Sequence, residues 1–332
     1  MTQAAIKQDD EMTLEEKQQE AAAWFRKLRD DICASYEELE DELEGGPHAN
    51  EKAGRFERKA WDRPEGGGGE ISLMRGRVFE KVGVNISTVH GEFDEKFRNE
   101  IPGAKEDPRF WASGISLVAH QQSPLVPAAH FNTRMITTGQ GTRLWFGGGG
   151  DLNPMFEVEE DTHNFHEAFK HVCDDFDPSF YPAFKGWCDE YFFIKHRGFA
   201  RGVGGIFYDY LGLNSLGENT ETIEPAQFGR GGLGQEQTEA GMKVATNADL
   251  DWSQAFAFTK AVGEAFRSIY PEIIRQHFNH GWTDEQRQHQ LERRGYYAEY
   301  NLLYDRGTRF GLMTGGNTEA ILMSLPPEAK WP

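Results

Sequence analysis

Between positions 130 and 151 the chain gathers a histidine, an amide, two arginines and an aspartate around a run of glycines. The stretches are His130-Phe-Asn-Thr-Arg134, Arg143, and Trp145-Phe-Gly-Gly-Gly-Gly-Asp151. Amide and guanidinium groups recognise polar and anionic partners. Glycine lets backbone approach a ligand closely and tolerates positive φ. Phe131, Thr133 and Met135 alternate with Asn132, Arg134 and Ile136, the two-residue period of a strand with one polar face. That face is expected to meet a ligand. Asp151, directly after the glycines, is the most pointed carboxylate in the chain, although an Asp there also suits an Asx-turn or a cap.

Arg201 stands immediately before Gly202-Val-Gly-Gly205, much as Arg134 stands near the first glycine run. An anion clamp made by these two arginines is the expectation. His196-Arg197 closes a stretch read as helical, where cations also complement the helix dipole. His120, His130, His166 and His196 belong to four separate segments. Together they could hold a divalent metal; separately each is an ordinary buried or surface histidine. His163 and His166 share a helical face but have no carboxylate motif beside them. Gly229-Arg-Gly-Gly-Leu-Gly234 spells G-x-G-x-x-G, without the preceding buried strand and following βαβ unit that a dinucleotide site requires. No Gly-x-Ser-x-Gly, Walker A or Ser/His/Asp order is present. The residues alone describe a site for a large, polyanionic, partly apolar ligand built around one carboxylate.

The 332 residues are enough to bury a full core, and 24 phenylalanines point to a globular protein. A formal charge of −19 argues against nucleic-acid or anionic-membrane binding. An anionic substrate must therefore be held by a local arginine cluster, which salt screens from remote charge beyond roughly 8 Å. Cys33, Cys173 and Cys188 are odd in number and lack CxxC spacing, so neither a disulfide framework nor a zinc knuckle is indicated. No leader pattern is visible, and no run approaches the ~18 apolar residues of a membrane span. A soluble cytoplasmic protein is expected.

Several elements must position these groups. Residues 1–12 read as frayed, and Thr13 with Glu16 forms a capping box. The helix it opens repeats Phe25, Leu28, Ile32, Tyr36, Leu39 and Leu43, and Gly45-Gly46-Pro47 stops it. The Gly66–Gly69 run is a turn or a mobile loop. Strands are expected over 71–79, 82–89, 112–119, 131–136 and 206–211, and helices over 159–176, 181–197, 252–280 and 284–294. The stretch 212–248, rich in Gly, Glu, Asn and Thr, reads as a loop insertion. The closing runs 296–304, 309–313 and 320–325 read as strands separated by turns. Strands cluster early and late and helices come in blocks, so the expected class is α+β with a large, mainly antiparallel sheet, not a doubly wound fold. The organisation is an N-terminal helical segment over 1–48 and one main domain over 49–332.

The chain resembles the oxygen-dependent coproporphyrinogen III oxidases. The resemblance is carried by Val78-Phe-Glu-Lys-Val-Gly-Val-Asn-Ile-Ser87, Ser116-Leu-Val-Ala-His120, Pro127-Ala-Ala-His-Phe-Asn-Thr-Arg134 and Trp145-Phe-Gly-Gly-Gly-Gly-Asp-Leu152. It continues through Tyr181-Pro-Ala-Phe-Lys-Gly-Trp-Cys-Asp189, His196-Arg197, Arg201-Gly-Val-Gly-Gly-Ile-Phe207, Tyr304-Asp-Arg-Gly-Thr308 and Ile321-Leu-Met-Ser-Leu-Pro326. It implies a single catalytic domain whose antiparallel sheet is flanked by helices on both faces, assembled as a homodimer through its C-terminal region. It further implies conversion of coproporphyrinogen III to protoporphyrinogen IX. Two propionates are oxidatively decarboxylated to vinyls, with O2 as co-substrate, CO2 and H2O2 as products and no organic cofactor.

By position, the resemblance puts Ser116, Asn132, Thr133, Arg134, Arg201 and the turn Gly315-Gly316-Asn317 on the substrate. His130 and Asp151 take catalytic places, as proton donor and central acid. His120, His130, His166 and His196 match a divalent-metal ligand set. On this reading Arg134 and Arg201 bind propionates, while Asp151 lies under the macrocycle, accepts pyrrole N–H bonds and helps remove a pyrrole proton. The electron-rich ring then reduces O2 directly. Tyr296 and Asn317 stand where an Arg occurs in some relatives, and 212–248 is longer than in compact bacterial members. Two other readings remain: a tetrapyrrole or haem carrier without turnover, and a metal hydrolase built on the four histidines.

Overall fold

Thr13 caps α1 (Leu14–Glu42) in the expected way: its hydroxyl accepts from Glu16 N while the Glu16 carboxylate accepts from Thr13 N. One stripe of α1, with Phe25, Leu28, Ile32, Tyr36 and Leu39, is buried. The computed structural model describes residues 12–99, 101–213, 236–313 and 316–331. Residues 1–11, the Gly229–Gly234 motif and Gly315 lie outside them.

Seven strands form the main sheet: β1 (Glu57–Asp62), β2 (Gly67–Met74), β3 (Phe79–Glu92), β4 (Arg109–Gln121), β5 (Ala128–Thr138), β6 (Arg143–Asn153) and, added as the last neighbour, β9 (Gly204–Leu211). Every neighbouring pair is antiparallel. A short helix α2 (Glu95–Arg98) joins β3 to β4. Between β6 and β9 come α3 (Glu159–Phe176), α4 (Phe180–Tyr191) and a two-stranded ribbon, β7 (Phe193–Ile194) with β8 (Phe199–Ala200). After β9 follow α5 (Glu236–Asn247), α6 (Trp252–His277), α7 (Asp284–Leu303), α8 (Arg306–Met313) and α9 (Thr318–Leu322).

The sheet is covered on both faces. On one, Phe131, Met135, Phe146 and Tyr208 pack with side chains of α1, α3 and α6 in a core that includes stacked Phe131 and Phe266. On the other, Trp145, Phe207 and Tyr210 join Tyr191, Phe192 and Tyr300 in a smaller cluster. That second face is met by the ribbon, α7 and α9. The α+β class and the antiparallel sheet are as expected.

Local differences have physical causes. The 181–197 helix stops at Tyr191, so His196-Arg197 lie in the turn of the ribbon and cap no helix. The 212–248 stretch contains α5, whose Met242 and Ala245 are buried. The closing runs are helices, not strands: α7 continues through 296–303, with Tyr297 and Tyr300 buried three residues apart, and α8 and α9 follow. The 71–79 run breaks at a turn closed by Gly76 N donating to the Phe79 carbonyl. The largely exposed edge strand β1 carries no apolar alternation and was not anticipated.

Candidate active site

The register between β5 and β6 sets His130 opposite Asp151, Asn132 opposite Gly149 and Arg134 opposite Gly147. Across β4 and β3 the same row continues from Asn132 to Ser116 and Asn85. Because side chains alternate along a strand, these groups share the face opposite Phe131 and Met135. Ser116, His130, Asn132 and Arg134 are all half-buried. They stand on a floor of small residues: Gly114 and Ser87 share a row with Arg134, and Ala112 lies beside Ile136. The glycine run is strand, not loop. Gly149 has φ +143° and its missing Cβ would lie 2.0 Å from the Ile206 carbonyl oxygen, so the close approach it permits is that of β9.

Asp151 and Arg201 form the buried end of a hydrogen-bonded chain. Arg201 Nη2 donates to both oxygens of Asp151 at 2.8 Å, and its Nη1 donates to Asn301 Oδ1 on α7 at 3.0 Å. The guanidinium is enclosed by the rings of Phe192, Tyr297 and Tyr300. Asn153 Nδ2 donates to Asp151 Oδ2 at 2.9 Å. His130 Nδ1 pairs with Asp151 Oδ1 at 2.9 Å. Burial works to raise the Asp151 carboxyl, but Arg201 and the His130 bond outweigh it and hold the acid at about 2. Burial likewise works to lower Arg201, and Asp151 raises it above the ordinary guanidinium range. Both groups are charged throughout the working pH range.

The chain then runs toward solvent. His130 Nε2 meets Asn132 Nδ2 at 3.1 Å. Arg134 Nη1 donates to Asn132 Oδ1 at 3.1 Å, and its Nη2 donates to Asp209 Oδ2 at 2.7 Å. The polarities are consistent in one direction only. Arg134 can only donate, so Asn132 must turn its carbonyl to Arg134 and its amide N–H to the imidazole. His130 Nε2 is then the bare acceptor, and Nδ1 carries the proton given to Asp151.

Arg134, Asp151 and Arg201 are thus gathered into one network with His130 and Asn132. Arg201, expected on a propionate, is engaged internally by Asp151. Thr133 is placed elsewhere: the strand period turns it to the helix-packed face, where it is wholly buried. Asn317 caps α9 by accepting from Ala320 N, and Gly316 N donates to the Gly311 carbonyl. Asn85 ties α9 to the site face through the Ala320 carbonyl at 3.0 Å.

The four histidines do not fit a shared cation. His120 Nε2 is held by the Ser324 carbonyl at 2.9 Å, and burial followed by nearby Arg294 drives its basicity well down. His166 is held between the Tyr181 hydroxyl and the Val203 carbonyl. His196 is held between the Tyr304 hydroxyl and Glu299. Among the described residues no group of three or more His, Cys, Asp or Glu side chains is arranged to hold a metal.

Asp209, Asn85, Asn153 and Asn301 were missed in the sequence. Asp209 did leave a signal, being the one charge in the otherwise apolar run Ile206–Leu211. Nothing comparable marks the three asparagines.

Comparison with known proteins bears on this geometry. A family model described as coproporphyrinogen III oxidase matches residues 20–332. The oxygen-dependent coproporphyrinogen-III oxidase of Rickettsia bellii (strain RML369-C) is 53% identical over 310 residues, covering 93% of this chain and 96% of that protein. The similarly named protein of Rickettsia africae (strain ESF-5) is 51% identical over 316 residues, 95% of this chain and 99% of its own. That of Rickettsia akari (strain Hartford) is 52% identical over 308 residues.

Proposed function

The chain belongs to the coproporphyrinogen III oxidase family, and from that premise we propose how its polar sheet face carries out the oxygen-dependent oxidation of coproporphyrinogen III. Each of two propionates loses CO2 and one β-hydrogen, leaving a vinyl. The two electrons released, with that hydrogen and one further proton, reduce one O2 to H2O2. The substrate itself supplies the electrons, so the protein's task is to orient it and manage charge and protons.

The observation that carries this reading is the half-buried row His130, Asn132 and Arg134 over a floor of small residues, backed by a fully buried Asp151–Arg201 pair. A flexible, partly apolar macrocycle fits such a floor. Arg134 is 30% exposed and uses two of its five N–H donors on Asn132 and Asp209. It is the residue we assign to a substrate carboxylate, with Ser116 and Asn132 beside it. Arg201 acts from beneath, by keeping Asp151 ionised. Asp151 in turn works through His130. It fixes the imidazole with Nε2 unprotonated and stabilises the imidazolium formed when substrate draws the Asn132 amide away and that nitrogen takes a pyrrole proton. That proton serves as the further one that oxygen reduction needs, and the pyrrole nitrogen regains its own from solvent. No step passes through a metal.

We also propose a homodimer. Leu302, Leu303, Leu312 and Met313 on α7 and α8 are exposed apolar side chains, and a second copy is the partner that would cover them. Among the described residues no helix is long and apolar enough to cross a membrane.

The test is incubation of the protein with coproporphyrinogen III in air and under argon, followed by chromatography. Vinyl products in air alone support the assignment. Tight binding without turnover in air would replace it with a carrier.

A further inference from the structure

β9 pairs with β6 through an irregularity. Phe146 faces Leu211 while Gly148 faces Tyr208, so β9 carries one extra residue there. Tyr210 takes up the difference with φ +60°, in the left-handed region. The consequence is a local break in alternation. Tyr208 and Leu211 both enter the helix-packed core, whereas Tyr210 joins the cluster on the site face. Asp209 is on the site face as well, with Oδ2 2.7 Å from Arg134 Nη2 and Oδ1 accepting from Tyr210 N at 3.1 Å. Opposite, position 147 is glycine, where a Cβ would lie 2.4 Å from Asp209 Oδ1 and 3.0 Å from Arg134 Nη2. A bulge in one strand and a missing side chain in its neighbour converge on the same ion pair.

We propose that Asp209 is a positioning residue for the oxidation. It clamps the Arg134 guanidinium, and through Arg134 and Asn132 it keeps an amide N–H turned to His130 Nε2. Loosening Arg134 removes the donor that orients Asn132, and an amide free to flip offers His130 an oxygen in place of an N–H. Nε2 then faces an oxygen with no proton between them, while Asp151 still holds the proton on Nδ1. Asp209 has no hydrogen bond to Asp151 or His130, and Arg134 is the bonded link toward them, while the Asp209 charge also faces the Arg306 guanidinium. This deepens the assignment of the face as an oxidase site and rests on it for the kinetic readout.

The experiment combines kinetics with 15N NMR of the histidine side chains in the full chain. Asp209→Ala should lower kcat/KM by about 10- to 100-fold and move the 15N resonance of His130 Nε2, as the Asn132 N–H is no longer held against it. Asp209→Asn, which keeps the shape and an acceptor, should recover most of both. In an Arg134→Lys background, Asp209→Ala should add little, because its route is already cut. Full additivity of the two substitutions, or an unchanged His130 Nε2 resonance in Asp209→Ala, overturns the proposal. Failure of the wild type to turn over substrate would count against the oxidase assignment alone, since the NMR measurement needs no turnover.

Discussion

The two faces of β5 differ in kind, although they are built from alternate residues of one strand. Phe131 and Met135 are fully buried against α6 and its neighbours, where shape and apolar area decide what fits. His130, Asn132 and Arg134 are half-buried and tied by directional bonds whose polarity propagates from residue to residue. The first face holds the sheet in place. The second uses that rigidity to hold donors and acceptors in a fixed order. A strand lets both jobs be done within a few ångströms because its period keeps them on opposite sides.

The comparison is strained most by neutralising its buried charge. Asp151→Asn should cut turnover by about a thousandfold or more, because an amide NH2 replaces one of the two acceptor oxygens and can face His130 Nδ1, leaving its tautomer unset. It should also destabilise the fold by about 3–5 kcal/mol, because Arg201 would remain buried without a counter-ion. Steady-state kinetics and thermal melts read the two effects separately. A variant that melts normally yet loses turnover would show that Arg201 finds another partner.

Acid provides a milder perturbation. Asp151 lies at about 2 in the folded protein against an ordinary 3.8, so its contribution is fully present above the unfolded value. It is lost as pH falls through the folded one. The lost stability is about 2–3 kcal/mol, concentrated between pH 4 and 2 by these two values. Wild type and Asp151→Asn should therefore converge in denaturant midpoint toward pH 2 and stay a constant distance apart above pH 4. Parallel curves would remove Asp151 as the source.

The smallest effect belongs to the far side of the packed face. Thr13→Ala removes the cap of α1 and should cost about 1 kcal/mol with no change in kcat. An altered kcat would mean that the helix-packed face communicates with the site.

Much of this was legible in the residues. The alternation through Phe131–Ile136 fixed which side chains share a face, and the periodicity of α1, α3 and α6 survived in the structure because their apolar stripes are long. What escaped was context. The run Tyr296–Tyr304 is rich in aromatics and reads as a strand, but Tyr297 and Tyr300 pack around Arg201 from consecutive turns of α7. Glycines at 307 and 311 punctuate α8 without ending it. The bulge at Asp209–Tyr210 depends on a neighbour strand sixty residues earlier in the chain, and no local pattern announces it. Arg134 and Arg201 looked equivalent because both neighbour glycines. Only burial separates a guanidinium facing solvent from one wrapped by three rings.

The division between faces is tested most directly by two neighbours in β5. His130→Ala and Phe131→Ala should be compared for turnover of coproporphyrinogen III, measured well below the melting point, and for unfolding free energy. The prediction is that His130→Ala loses about 10²- to 10⁴-fold in kcat with a nearly unchanged melt, while Phe131→Ala loses about 3–5 kcal/mol of stability and keeps its kcat. Near-normal turnover in His130→Ala, or a collapse of kcat in folded Phe131→Ala, would contradict the account.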